Sequence, residues 1–250
     1  ISKSFVKDMH NRGIKVTPFL SNHWDRACGR QAINNISEDP LEEDLVDQIV
    51  AAIEDNNFDG VNVDIENLTL EDRDAYTNFV KVLRERLPSD KSLSIAVAAN
   101  PYNYQNGWQS SYDYANLAKY CDYLMVMAYD EHHQGGPEGP PASGSFAEKS
   151  ILYALKHVAA DKIVLGVPFY GRYWQEGKEY GGYALSNYQV ESLINKYSST
   201  VTYDVSKQSA KAVVTIKETD IKPVVMGKPL EAGTYNIWFD NERALKYKLS

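Results

Sequence analysis

The sequence has few cysteines, no long apolar run and no excess of positive charge. Cys28 and Cys121 are its only cysteines, too few for a disulfide framework, and Cys121 lies in an apolar strand-like run. We therefore expect a buried thiol there rather than a disulfide. The net charge of -8 argues against a nucleic-acid partner, and no apolar run approaches membrane-spanning length.

The remaining composition is typical of a globular protein. Hydrophobic residues make up 43% and charged residues 24% of 250 residues, which predicts one large domain with a sizeable core. No internal repeat or low-complexity tract is present. No positively charged segment followed by an apolar stretch opens the sequence, so any secretion signal is absent or lies outside it. We expect a monomer.

The most informative segment, residues 58–66, has polar side chains at alternate positions of a strand-like run. Successive side chains of a strand point to opposite faces. This rule separates two sets: Val61, Val63 and Ile65 on one face, and Asn62, Asp64 and Glu66 on the other. An unpaired buried carboxylate is costly, so two carboxyl groups and an amide on one face predict a functional site. The alternative is that the carboxylates only cap the following turn.

Strand-like runs alternate with helical ones in the first 180 residues, which is typical of a parallel β/α architecture. Strands are predicted at residues 14–20, 58–66, 92–99, 123–130 and 163–169. Helices are predicted at residues 5–12, from Asp39-Pro40 through Ile53, from a Thr69–Asp72 capping box, and from a second capping box at Ser145 and Glu148.

The pattern changes near residue 181. A helix at residues 188–197 precedes short strands at residues 201–205, 212–216, 223–226 and 234–238, which predicts a small α+β subdomain. We therefore divide the chain into a barrel portion at residues 1–180, an inserted α+β subdomain at 181–238, and a helical return to the barrel at 239–250.

Four segments carry a family resemblance. Residues 59–66, DGVNVDIE, resemble the Asp-Gly-x-Asp-x-Asp-x-Glu signature of family 18 glycoside hydrolases, the retaining chitinases and endo-N-acetylglucosaminidases. Residues 127–130, residues 163–172 and the β-rich stretch follow in the family's order. Asn62 in place of Asp, together with the loop at residues 129–137, is most similar to bacterial spore-germination and cortex-lytic enzymes, which act on peptidoglycan.

The resemblance implies a (β/α)8 barrel of the TIM type with a small α+β insertion late in the chain. Residues 58–66 would form the fourth barrel strand, yet only one predicted strand precedes them. We therefore expect the first two barrel strands and the last one to be missing from these 250 residues.

The resemblance also implies a mechanism and a set of site residues. In family 18 the nucleophile is the substrate's own 2-acetamido group. Glu66 would be the acid/base and Asp64 the group that orients the acetamide; they stand roughly 6 to 7 Å apart along the strand, close enough to couple their titrations. Tyr129 would donate its hydroxyl to the acetamido carbonyl; the alternative is an ordinary core tyrosine. The implied substrate-binding residues are Asn62, Met127, Asp130, Tyr170, Arg172 and Trp238.

Other candidate sites are weaker. His132 and His133 lack a third ligand at zinc-site spacing, so no metal is predicted, and no cofactor is expected. The 18 tyrosines and four tryptophans suit sugar stacking, with Trp108, Trp174 and Trp238 as predicted cleft walls. The expected partner is a glycan polymer at the spore or cell wall, outside the cytoplasm. Two alternatives stay open: a chitinase, or a non-catalytic sugar-binding protein on the same fold.

Overall fold

The computed structural model describes residues 1–37, 39 and 42–250. They form two compact units. The parallel-sheet unit contains Ile1–Met127 and Ile151–Leu165, and the antiparallel-sheet unit contains Ala128–Ser150 and Gly166–Ser250. The α/β class is confirmed, whereas the division into a barrel portion and an inserted subdomain, with boundaries at residues 180 and 238, stays a prediction. No helix of the described residues is long and apolar enough to cross a membrane.

The parallel-sheet unit is built on five strands whose order in the sheet follows the chain. The first four pair in parallel. The strands are β1 Phe19–Ser21, β2 Gly60–Asp64, β3 Ser92–Ala98, β4 Tyr123–Met127 and β5 Ile163–Gly166. The helices are α1 Lys3–Asn11, α2 Arg26–Asn34, α3 Leu45–Asp55, α4 Arg73–Arg86 and α5 Tyr114–Leu117; α6, Gly144–Leu155, contributes residues to both units.

The hydrophobic pattern explains how this unit packs. The apolar face of residues 61–65 is buried, as predicted, and α4 buries the apolar side of its own helix. The Thr69–Asp72 capping box is also confirmed, and it precedes α4 by one short 3₁₀ turn. Burial of these apolar side chains supplies the main favourable free energy of the fold.

Two predicted boundaries were wrong for local reasons, and a third lies outside the described residues. Strand β1 begins at Phe19 rather than residue 14, because Pro18 has no N–H to donate. Helix α3 begins at Leu45 with Asp44 as N-cap; the predicted start at Pro40 lies outside the described residues. Helix α6 begins at Gly144, and Ser143 Oγ accepts a hydrogen bond from the backbone N–H of Phe146, so the predicted box at Ser145 and Glu148 does not cap it.

The antiparallel-sheet unit contains a five-stranded sheet in the order β7-β6-β12-β9-β8 and a two-stranded hairpin, β10–β11. Its strands are β6 Tyr170–Gln175, β7 Tyr183–Ser186, β8 Ser198–Asp204, β9 Ser209–Ile216, β10 Val224–Val225, β11 Lys228–Pro229 and β12 Gly233–Phe239. Its helices are α7 Asn187–Lys196 and α8 Glu242–Lys248. The predicted helix and the four predicted short strands are confirmed.

Strands β6 and β7 were not predicted as separate elements. The strand predicted at residues 163–169 was too long, because β5 ends at Gly166 and β6 begins at Tyr170. Pro168 lies in the break, and a proline cannot donate a ladder hydrogen bond. The chain therefore leaves the parallel sheet and enters the antiparallel one at this point.

Both cysteines are free thiols, and Cys121 is buried as predicted. Burial raises the pKa of the Cys121 thiol to about 12, whereas Cys28 is exposed. Because the thiolate is the reactive form, we expect iodoacetamide at pH 8 to label Cys28 alone in the native protein. Mass spectrometry should find one modified thiol before denaturation and two after it; rapid native labelling of Cys121 would contradict this.

Candidate active site

Two carboxyl groups and an amide lie at the carboxyl end of β2. Asn62, Asp64 and Glu66 are half-buried, and they alternate with the buried Val61, Val63 and Ile65. Asp64 is the last residue of the strand, and Glu66 follows in the adjoining loop. The predicted polar face is therefore present in the parallel-sheet unit.

Asp64 is the electrostatically unusual member of this group. Its Oδ1 atom is buried and has no hydrogen-bond partner. Burial raises the pKa of Asp64, because removal from water penalises the charged form. Tyr76 is a fully buried phenol whose pKa is raised, first by its own burial and second by the negative charge of Asp64. The strand thus keeps an uncompensated carboxyl oxygen, which favours a functional role over turn capping.

Asn62 is held by the neighbouring strand. Its amide nitrogen donates to Ser94 Oγ at 2.8 Å, and the two residues are register partners between β2 and β3. Ser94 therefore fixes the orientation of Asn62.

Asn22 holds the backbone of Glu66, which the sequence did not predict. Its Nδ2 donates to the Glu66 carbonyl oxygen and its Oδ1 accepts from the Glu66 N–H, both at 2.9 Å. Nδ2 also donates to the Asp25 carbonyl oxygen at 2.7 Å. Asn22 is only 3% exposed. Asn22 follows β1 directly, and no local pattern marks its partner 44 residues along the chain.

We expect Asn22→Ala to remove both hydrogen bonds to the Glu66 backbone. The free energy of unfolding should fall by about 1 to 3 kcal/mol, because buried polar groups lose their partners. A displaced Glu66 should lower kcat by about tenfold with little change in KM. Denaturant unfolding and steady-state kinetics measure the two effects. Asn34→Ala, an exposed residue of α2 with one main-chain hydrogen bond, is the matched control and should change neither.

Aromatic rings lie side by side next to this strand end. Trp24, Trp108, Tyr112 and Tyr76 form successive edge-to-face contacts with ring centroids 4.9, 5.9 and 5.8 Å apart. Tyr112 donates its hydroxyl to the Ile65 carbonyl oxygen at 2.9 Å. Trp24 is 49% exposed. The predicted wall residue Trp108 therefore lies in the same unit as the carboxylates and contacts an exposed tryptophan.

Three of the predicted substrate-binding residues meet in the antiparallel-sheet unit. Asp130 Oδ1 accepts from the Tyr170 hydroxyl at 2.5 Å and from Arg172 Nη2 at 2.7 Å. Burial and the Asp130 charge raise the pKa of Tyr170, so its phenol stays protonated and donates. Asp130 has a positive φ of 59°, a strained backbone that often marks a functional site.

Tyr129 lies in the same unit as this cluster, whereas Met127 belongs to the parallel-sheet unit. The Tyr129 ring is 6.2 Å from that of Tyr170 in an edge-to-face arrangement. Met127 is the last residue of β4 and is half-buried. Both residues are thus at or just beyond a strand end.

Trp238 is 6% exposed and is fixed by its indole N–H. Nε1 donates to Glu138 Oε1 at 2.9 Å, and Lys211 Nζ donates to the same oxygen at 2.7 Å. Burial acts to raise the pKa of Glu138, but the hydrogen bonds from Lys211 and Trp238 hold it below its usual value. Trp174 is buried too, and its Nε1 donates to the Gly136 carbonyl oxygen. Glu138, which sequence reasoning missed, ties the loop at residues 131–143 to the sheet.

His132, in the same loop, has a structural partner. His132 Nδ1 lies 2.9 Å from the Pro140 carbonyl oxygen. Within residues 1–37, 39 and 42–250, no group of three or more His, Cys, Asp or Glu side chains has the arrangement of a metal site.

Comparison with known proteins identifies the family. The sequence profile of Glycosyl hydrolases family 18 matches residues 6–250. A cortical fragment-lytic enzyme of Bacillus subtilis is 25% identical over 241 residues, covering 94% of this chain and 52% of the relative. Chitinase 63 of Streptomyces plicatus is 27% identical over 162 residues, covering 59% of this chain and 26% of the relative.

A solved structure has the same fold. The chitinase of Chromobacterium violaceum aligns with a TM-score of 0.82 at 24% identity, covering 97% of this chain and 73% of that one. The chain spans about half to two-thirds of the length of the Bacillus subtilis relatives that it matches over 241 residues. The resemblance noted in residues 59–66 is therefore confirmed at the level of the family.

Proposed function

Because the chain belongs to glycosyl hydrolase family 18, we propose that it is a retaining glycosidase that cleaves N-acetylglucosamine-containing glycan, with spore-cortex peptidoglycan as its substrate. The observation that carries the proposal is the carboxylate pair at the carboxyl end of β2: Asp64, with a buried and partnerless Oδ1, two residues before Glu66. A structural carboxylate would have its hydrogen bonds satisfied. Asp64 instead keeps an acceptor for a group that arrives from outside.

The proposed mechanism uses the substrate's acetamido group as nucleophile. Glu66 donates a proton to the glycosidic oxygen, that C–O bond breaks, and the acetamido carbonyl oxygen forms a bond to C1. The product of this step is an oxazolinium ion, and the leaving glycan departs as an alcohol. Glu66, now ionised, then takes a proton from water, and the water oxygen bonds to C1 from the face that the leaving group vacated. The bond from C1 to the acetamido oxygen breaks in the same step and restores the neutral acetamide. Two inversions at C1 give net retention.

Asp64 is proposed to orient the acetamide. Its partnerless Oδ1 can accept the acetamido N–H, and its carboxylate stabilises the positive charge that develops on the oxazolinium ion. The raised pKa of Asp64 also suits a proton that is shared within the carboxylate pair during the cycle. Tyr129 is proposed to donate its hydroxyl to the acetamido carbonyl oxygen.

The remaining site residues are proposed to bind the sugar chain. The Asp130–Tyr170–Arg172 cluster offers fixed hydrogen-bonding groups, since the hydroxyl and guanidinium both bond to one carboxylate oxygen. Asn62 supplies its carbonyl oxygen while its nitrogen bonds to Ser94. Met127 and Trp238 are proposed as apolar contacts for sugar rings. The closed (β/α)8 barrel and the inserted subdomain at residues 181–238 remain the architecture that we propose for the whole protein.

The choice of cortex peptidoglycan rests on the relatives. The Bacillus subtilis relative is by its name a cortical fragment-lytic enzyme, and it aligns over 94% of this chain. Asn62, where the family signature has Asp, agrees with the spore enzymes in the resemblance noted above. A protein that degrades this polymer would act at the spore or cell wall.

The test is release of reducing ends by the purified protein from two substrates, muramic-lactam-containing cortex fragments and chitin oligomers. We expect the parent protein to cleave cortex fragments and the Glu66→Gln variant not to cleave them. Chitin alone as substrate would replace our proposal with the chitinase alternative, which the likeness to Chitinase 63 supports. No turnover of either glycan, with binding retained, would mean a sugar-binding protein and contradict the proposed activity.

A further inference from the structure

A second concave surface lies in the antiparallel-sheet unit, on the sheet face opposite Tyr170 and Arg172. Alternate side chains of β6 point to opposite faces, so Tyr173 and Arg172 face different sides. The register places Tyr183 of β7 directly beside Tyr173, and Tyr235 of β12 beside Gln175. Tyrosine side chains from three neighbouring strands therefore share the face away from the Asp130 cluster.

These rings line a cavity between the sheet and the β10–β11 hairpin. Its volume is about 500 Å³, and four tyrosines line it, which defines the tyrosine cavity: Tyr173, Tyr180, Tyr183 and Tyr235. Small-molecule sites commonly enclose roughly 300 to 1,000 Å³ and are lined by aromatic and apolar side chains with a few polar groups. The tyrosine cavity has this size and this kind of lining.

An ordinary hydrophobic core would explain only part of the lining. Tyr173 and Tyr235 are buried and belong to the core of the unit. Tyr180, however, is 54% exposed, and Tyr183 is half-buried. The Tyr180 and Tyr183 rings are in edge-to-face contact at 5.7 Å, and Tyr183 contacts Tyr173 at 5.5 Å. A continuous aromatic wall thus runs from the core out to solvent.

The charges around the cavity balance. Lys178 and Lys228 line it together with Glu179 and Glu231, two groups of each sign. Lys228 Nζ lies 5.9 Å from the centre of the Tyr183 ring. A balanced rim favours a neutral ligand over an anion, and the aromatic wall favours a ligand with apolar faces as well as hydroxyl and amide groups. A pyranose ring combines these properties, with C–H groups on its faces and polar groups at its edge.

We propose that the tyrosine cavity is a second glycan-binding site, which binds N-acetylated sugar residues of the polymer outside the cleavage site. The identity of the glycan rests on the proposed function. The site would hold an insoluble polymer on the enzyme between cleavage events, so it should matter for polymer binding and not for cleavage of short soluble oligomers.

The test uses Tyr180→Ala in the catalytically blocked Glu66→Gln protein. Isothermal titration with tri-N-acetylglucosamine should show two oligomers bound per chain. Tyr180→Ala should lower the affinity of one of these two sites by about fivefold, the loss expected for one aromatic contact. Tyr188→Ala is the matched control, because Tyr188 is an 80% exposed tyrosine of the same unit that does not line the cavity. The control should bind like the parent.

Two further measurements distinguish loss of the second site from misfolding and from failure of the proposed activity. Amide NMR signals of residues 178–183 and 228–231 should shift saturably with oligomer in the Glu66→Gln protein that retains Tyr180. With Glu66 present, Tyr180→Ala should cleave short soluble cortex fragments at the parent rate and bind less insoluble cortex peptidoglycan. Unchanged signals, or binding by Tyr180→Ala equal to that of Tyr188→Ala, would overturn the second site. Oligomer binding at the tyrosine cavity without any Glu66-dependent turnover would support it and refute only the proposed activity.

Discussion

Replacing Glu66 with glutamine lowers kcat by about a thousandfold, because a positioned general acid contributes on the order of 10² to 10⁴ and no other carboxyl group is assigned this role. Glutamine has nearly the shape of glutamate and retains a hydrogen-bond donor, but it has no proton to transfer to a leaving oxygen. Binding of the glycan should therefore change little. Reducing-end release measures kcat, and titration with uncleaved oligomer measures affinity.

The matched control is Glu54→Gln, which removes a carboxylate from the exposed side of α3 in the same unit. It should leave kcat and KM unchanged. Full activity of Glu66→Gln beside an active Glu54→Gln would remove Glu66 from the mechanism and transfer the acid role to another group.

Replacing Asp64 with asparagine should lower the activity and raise the stability of the protein. Activity should fall by about 10²- to 10³-fold, because a neutral amide no longer stabilises the charge that develops on the acetamido group. The free energy of unfolding at pH 7 should rise by about 1 kcal/mol. The variant no longer has a half-buried carboxylate charge with an oxygen, Oδ1, that lacks a hydrogen-bond partner. A gain of that size raises Tm by roughly 2 to 4 °C.

The pH dependence of this gain follows from the direction of the pKa shift. The pKa of Asp64 is raised above its ordinary value of 3.8 by burial, so the folded protein binds this proton more tightly than the unfolded chain. Below pH 3.8 Asp64 is protonated and its burial does not destabilise the fold. As the pH rises from there through the raised pKa, Asp64 becomes charged and the free energy of unfolding falls. The advantage of Asp64→Asn should be near zero at pH 3 and larger at pH 7, as measured by denaturant unfolding across that range.

Asp72→Asn is the control with the opposite sign. Burial acts to raise the pKa of Asp72, but hydrogen bonds from Arg30 and Thr69 hold it below its usual value. Its charged form therefore stabilises the fold, and Asp72→Asn should lower the free energy of unfolding at pH 7, with the loss shrinking as the pH falls. Equal behaviour of the two variants would contradict the environment that we assign to Asp64.

Features set by neighbouring residues were predictable from the sequence. The alternation of residues 61–66 predicted both the buried Val face and the carboxylate face, because a strand has a fixed two-residue period. The Thr69–Asp72 capping box spans only four residues, so the local sequence is enough to specify its hydrogen bonds. Cys121 was recognisable as a buried thiol from its apolar neighbours.

Features set by distant pairing were not predictable. Asn22 and Glu66 are 44 residues apart, and Glu138 and Trp238 are 100 residues apart. An asparagine or a glutamate on a loop is compatible with many partners, and nothing local selects one. Strand β6 was missed for the same reason, because its ladder with β12 joins residues far apart along the chain.

The central claim is that Asp64 and Glu66 support hydrolysis through the substrate's own acetamido group. The most direct measurement is the ¹H NMR spectrum of the product during the first minutes of hydrolysis of a β-linked N-acetylglucosamine-containing substrate, before mutarotation. The account predicts that the new reducing end appears as the β anomer. First appearance of the α anomer would mean direct displacement by water with inversion, and it would contradict the account.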